Sequence, residues 1–195
     1  MQGLKEREPP FFDGLVYEAR VPLVWRYLEL RPDEKQIVFA NTANEQLLRL
    51  ITSLSEKPQE AVDGEFHAEL ERIDLKITVL LDMASHIIRD QLNLPAPEPV
   101  RMDARGAEWT TANPPETKRL LNAKVYIDPE LPRPLEFFGL CQVSELTDPA
   151  QRGARVRMRF IRVGQAVADE LEKFIFRQHR KEIAMQRDAL KGGSR

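Results

Sequence analysis

The chain has 195 residues, 42% of them hydrophobic, which suffices for one domain with a proper core. Lys and Arg number 29 against 31 Asp and Glu, and a formal charge of −2 excludes a global field that would draw the protein to nucleic acid or anionic lipid. The single cysteine, Cys141, excludes an internal disulfide and a cysteine-built metal site, and no apolar run reaches the about 18 residues of a membrane span.

The opening stretch MQGLKEREPPFFDG has no apolar segment resembling a signal peptide, so with the cysteine usage a cytoplasmic location is expected. Alternation predicts a strand over 15–21, broken or bulged at Pro22 and resuming to Leu28. From Asp33 to Ser55 the period turns helical. Asp33 with Gln36 forms one capping box and Thr42 with Glu45 another, a pattern open to two short helices or one. A break over 57–64 follows.

Between Asp63 and Leu94 apolar residues recur at alternating steps of three and four. Leu70, Ile77, Ala84 and Gln91 take the a positions, and Ile73, Leu80, Ile87 and Leu94 take d. The e positions Leu81 and Ile88 are apolar too. The prolines of NLPAPEPVR stop this helix near Leu92. Four strand signals come next, VRMDARGAEWTT, NAKVYID, LEFFGLCQVSEL and ARVRMRFIRV, with Cys141 as a core residue of the third. A last helix over 165–190 has Val167, Leu171, Phe174, Ile175 and Gln178 on its inner face, and KGGSR is read as a tail.

The fold class is therefore α+β, a small antiparallel β-barrel split in sequence by a helical insertion, plus a C-terminal helix. Residues 1–32 supply the first barrel strands, 33–95 the insertion with its long heptad helix, and 96–195 the remaining strands and last helix, one domain in space. About 30 helical residues reach roughly 45 Å, more than such a globule spans. The seam Leu70, Ile73, Ile77, Leu80, Leu81, Ala84, Ile87 and Ile88 then needs cover from further copies of the chain. Otherwise it folds back on Ile37, Ala40, Leu47, Ile51 and Leu54 of the preceding helical segment. Leu at a with Ile at d leans towards trimers and tetramers, so a homotetramer is expected, with parallel and antiparallel packing both open.

The closing stretch PLEFFGLCQVSELTDPAQRGARVRMRFIRVGQAVADELEKFIFRQHR resembles the second half of a PilZ domain, where paired strands and a helix close a small barrel. The heptad insertion resembles the atypical, oligomer-forming subgroup of that family. The resemblance implies a bacterial signalling protein of the cyclic di-GMP pathway, a non-enzyme. Family members bind cyclic di-GMP through a turn of Asp or Asn, any residue, Ser, any two residues and Gly, together with two arginines four residues apart before the first strand. On VRMDARGAEW that turn puts Arg101 at the Asp/Asn position, Asp103 at the Ser position and Gly106 at the Gly position. Only the glycine agrees, and it suits positive φ or close backbone approach. Asp103, a carboxylate that accepts but does not donate when ionised, would repel a diphosphate. Lys5 and Arg7 precede the first strand without the paired arginine.

Two functional readings follow, a non-catalytic adaptor with degenerate ligand residues that works through protein partners, and a cyclic di-GMP receptor using substitutes such as Arg101, Arg105 or the strand face Arg155, Arg157 and Arg159. That stripe could also serve nucleic acid, which the near-neutral charge argues against. His67, His86 and His179 have no metal-pair spacing, no cofactor is called for, and no nucleophile elbow or phosphate-cradling glycine loop occurs, so no catalytic residue is assigned. Trp109 is read as core, or as an aromatic beside the turn able to stack on a base.

Overall fold

The computed structural model describes residues 11–12, 14–54, 65–128, 131–145 and 153–192. Lys5, Arg7, the break over 57–64 and the end of the tail lie outside them, as do the side chains of His67 and His86. Strands β1 (Tyr17–Val21) and β2 (Leu23–Tyr27) come first, then helices α1 (Glu34–Leu54) and α2 (Glu65–Leu92). Strands β3 (Glu98–Met102), β4 (Gly106–Thr111), β5 (Leu120–Val125), β6 (Leu135–Glu145) and β7 (Ala154–Phe160) follow, and α3 (Gln165–Gly192) ends the chain.

The seven strands form one antiparallel sheet in the order β1-β3-β4-β7-β6-β5-β2. Its two outer strands are consecutive in sequence, separated by Pro22 alone, so the sheet must curl until its edges meet there. Pro22 suits the junction because it has no N–H to leave unpaired where the chain changes partners. Its carbonyl still accepts from the Tyr126 N–H at 3.0 Å. The break expected at Pro22 is thus the corner of a barrel.

Inward residues of this curl, among them Val100, Met102, Trp109, Leu121, Val125, Leu135, Val156 and Met158, are essentially inaccessible. Val167, Leu171, Phe174 and Ile175 of α3 join the same core, as do Leu47, Leu48 and Ile51 of α1. Cys141 is core too; burial pushes its thiol above the usual range.

Helix α1 starts with a reciprocal cap. Asp33 Oδ1 accepts from the Gln36 N–H at 2.8 Å, and Gln36 Oε1 accepts from the Asp33 N–H at 2.9 Å. The second capping box at Thr42 is not formed, because α1 runs through it unbroken. Two asparagines on that stretch hold the helix to the barrel. Asn44, fully buried, donates to the Glu136 carbonyl and accepts from the Glu136 N–H, both at 2.8 Å, as a neighbouring strand would. Asn41 does the same across the turn into α3, donating to the Arg162 carbonyl and accepting from the Gly164 N–H.

Two further expectations change. The stretch VRMDARGAEWTT, read as one strand, is the hairpin β3–β4, so five strands follow the insertion. The fold-back alternative for α2 also fails: Ile37, Ala40, Leu47 and Ile51 of α1 are spent on the barrel, and α2 finds no extensive packing partner among the described elements. Ser85 is the only buried one of its described side chains. At 28 residues α2 is about 42 Å long. Leu70, Ile73, Ile77, Leu80, Leu81, Ile87 and Ile88 stand 41–65% exposed along it, and Ala84 is exposed as well. The helix ends at Leu92 with Asn93 in the left-handed region (φ 44°), so Leu94, counted as the last d position, lies beyond it.

Candidate ligand face on the barrel exterior

The turn that joins β3 to β4 is built by Asp103. Its buried carboxylate Oδ1 accepts the Arg105 N–H at 2.8 Å and the Gly106 N–H at 3.0 Å, while the Asp103 N–H donates to the Gly106 carbonyl at 3.0 Å. A side chain that satisfies the backbone two and three residues on makes a tight turn without glycine–proline chemistry. The amides of 105 and 106 are therefore already engaged, and Oδ1 of the carboxylate is taken up by its own turn.

Gly106 sits just past that turn with negative φ, so the left-handed conformation anticipated for it is absent. Its need for glycine comes from close approach. A Cβ would lie 2.5 Å from the Met158 carbonyl oxygen and 2.8 Å from the Phe11 ring. The bare position lets β7 and an aromatic ring press on the strand.

Arg101 stands on the outward face of β3. The strand register places Glu18, Arg101, Glu108 and Arg157 side by side across β1, β3, β4 and β7, a row of alternating charge. Arg101 Nε meets Glu18 at 2.7 Å and its Nη1 meets Glu108 at 3.5 Å. Burial works against the Arg101 charge, yet the hydrogen bond and charge of Glu18 and Glu108 hold it above its usual value. Glu108, only 7% exposed, also accepts from Arg157 Nε at 2.8 Å and lies 4.0 Å from Arg155 Nε. A buried carboxylate is tolerable here because three guanidiniums converge on it.

The stripe Arg155, Arg157 and Arg159 faces outward as its alternation implies, with Val156 and Met158 inside and Phe160 stacked on Phe137 at 4.0 Å. Four arginines (101, 155, 157 and 159) against two glutamates (18 and 108) leave this face two positive charges in surplus. Residues unremarked in the sequence cover it. The Phe11 ring lies under the guanidiniums of Arg157 (5.5 Å) and Arg159 (4.9 Å), and the Phe12 ring under that of Arg101 (5.2 Å). The two rings meet edge to face at 4.8 Å. Trp109, by contrast, points into the core at 1% exposure, so the base-stacking role considered for it falls away. Beside the turn lies a cleft of about 390 Å³, lined by Gly14, Leu15, residues 103–105, Glu172, Ile175 and Phe176.

The sequence model of the atypical PilZ domain, described as a cyclic di-GMP receptor, matches residues 45–188, most of the chain. The chain belongs to the atypical PilZ domain family. Among solved structures, this PilZ protein is similar to a pathogenic protein from Xanthomonas campestris, a tetrameric PilZ domain self-assembled via a helical bundle. The TM-score is 0.69 at 20% identity, over 88% of this chain and 92% of that one. No curated protein matches. As a PilZ domain it presents Arg101, Asp103 and Gly106 within one hairpin. Arg101 is ion-paired, Asp103 clasps its turn and Gly106 gives way to β7 and Phe11.

Other candidates are not gathered into a site. His179 lies on α3 with Glu182 at 3.8 Å, and no cluster of three or more metal-ligating side chains occurs among the described residues. No described helix is long and apolar enough to cross a membrane.

Proposed function

We propose that this atypical PilZ domain protein is a non-catalytic signalling adaptor. It assembles into a homotetramer through α2 and acts through protein contacts, with its ligand-motif positions turned to structural use. The observation that carries the reading is the uncovered seam of α2, seven large aliphatic side chains at heptad spacing left in water. Such a stripe is stable in solution only when further helices cover it. The tetrameric Xanthomonas campestris protein, self-assembled via a helical bundle, supports the same use of this fold. The Asp103 clasp supports the degenerate-motif part, since a carboxylate fixed on the turn amides opposes a phosphate at that spot.

A second reading, a cyclic di-GMP receptor using Arg101, Arg105 and the Arg155 stripe, is favoured by the two surplus positive charges of the outer face. Titration calorimetry with cyclic di-GMP, run beside light scattering on the same sample, separates the two. A tetrameric mass with no binding heat at micromolar ligand is expected. Saturable heat that disappears in Arg155→Ala/Arg157→Ala would transfer the conclusion to the receptor reading.

A further inference from the structure

We propose that Phe11 and Phe12 are a latch that covers the arginine face in cis, and that the uncovered face takes an acidic protein segment carrying an aromatic residue. The inference rests on the reading that the chain works through protein contacts, and gives those contacts a place and a chemistry.

Three observations build the latch. Phe11 and Phe12 between them lie against Arg101, Arg157 and Arg159, on three of the four arginines of the face. Gly106 leaves the strand bare where Phe11 sits, since a side chain there would strike the ring. Gly14, two positions after Phe12, has φ 106° with nothing within 4 Å of a Cβ position. Its requirement for glycine is conformational alone, as at a pivot that turns the chain from β1 across the barrel.

The same contacts define what could replace the latch. Aromatic rings satisfy Arg101, Arg157 and Arg159, and carboxylates satisfy Arg101 and Arg157. Arg159 has no carboxylate partner among the described residues, and the face keeps its surplus of positive charge. A segment bringing a ring and a carboxylate together answers both demands. The latch's own sequence, Phe11, Phe12 and Asp13, has that composition.

The test uses a fluorescein-labelled peptide of residues 9–14, PPFFDG, added to the full chain and followed by anisotropy. The double variant Phe11→Ala/Phe12→Ala is expected to bind it about ten-fold more tightly than the unaltered chain, the factor three exposed guanidinium–ring contacts supply together. Gly14→Ala, which strains the pivot and keeps both rings, should shift affinity in the same direction. Adding Arg157→Ala/Arg159→Ala to the opened variant should abolish the gain. Equal affinity in latched and opened chains overturns the proposal, as does binding that survives loss of the arginines. An opened variant that takes cyclic di-GMP and not the peptide assigns the face to a nucleotide instead. Light scattering on the same samples keeps the two inferences apart. Failed peptide binding with a tetrameric mass sinks the latch alone, whereas a monomeric unaltered chain sinks the assembly reading beneath it.

Discussion

Replacing Ile77 and Leu80 by lysine should turn the assembled protein into folded monomers. Fully burying an Ile or Leu side chain contributes about 1.5–3 kcal/mol relative to leaving it in water. In the isolated chain Ile77 is 50% and Leu80 65% exposed, so more than half of that gain is still to be had on association. The double substitution therefore removes about 3 kcal/mol per chain, a factor of about 100 in the association constant, before the cost of enclosing two ammonium groups is added. Sedimentation velocity reads the mass directly, and circular dichroism checks that the barrel persists. Leu75→Lys is the matched control. Leu75 is also 65% exposed but occupies an f position across the helix from the seam, and its substitution should leave the mass unchanged. An unaltered mass in Ile77→Lys/Leu80→Lys, or monomers produced equally by Leu75→Lys, would refute the heptad argument.

Asn44→Ala removes both hydrogen bonds to the Glu136 backbone and leaves two partly buried main-chain groups without them, so thermal or urea unfolding should show a loss of about 2–4 kcal/mol. Gly106→Ala forces a methyl into the Met158 carbonyl and the Phe11 ring, and should cost about 1–3 kcal/mol by the same measurement. Tyr17, pushed up to about 12 by burial and by the nearby Asp128 and Glu182 carboxylates, keeps its proton in the fold while the unfolded chain loses it near pH 10. Its contribution, about 2–3 kcal/mol, is present below pH 10 and lost as pH rises towards 12; Tyr17→Phe should therefore flatten the alkaline limb of stability against pH. Cys141, inaccessible and with its thiol raised by burial, should react with a thiol reagent only at the rate of unfolding.

Periodic elements were legible because their signal is local. The heptads of α2, the inner face of α3 and the alternation of Arg155 to Phe160 each follow from how a helix or strand turns its side chains, and the structure places them so. Strand alternation does not mark the hairpin at Asp103, because its turn is made by a carboxylate bond to residues two and three ahead, with no glycine–proline pair to break the pattern. Thr42 looks like a helix start, yet Asn41 and Asn44 on either side of Thr42–Ala43 tie one continuous helix to backbone more than ninety positions away. Glu108 carried one faint signal, an acid at an outward position of a strand bearing inward Ala107 and Trp109. Nothing nearby in sequence foretold that Arg157, 49 positions on, would meet it.

What the amino-acid order determined by itself was the inventory: a strand cornered at Pro22, a greasy helix ended by prolines, an alternating arginine strand and a closing amphipathic helix. Each is a matter of neighbours within a few residues, where backbone geometry and side-chain periodicity decide. The tertiary structure alone decided that the two halves of the first strand form opposite edges of one curled sheet, that the arginines share a buried glutamate, and that Phe11 and Phe12 lie on them. Those contacts join residues distant along the chain, and only the register of seven paired strands brings them within bonding distance.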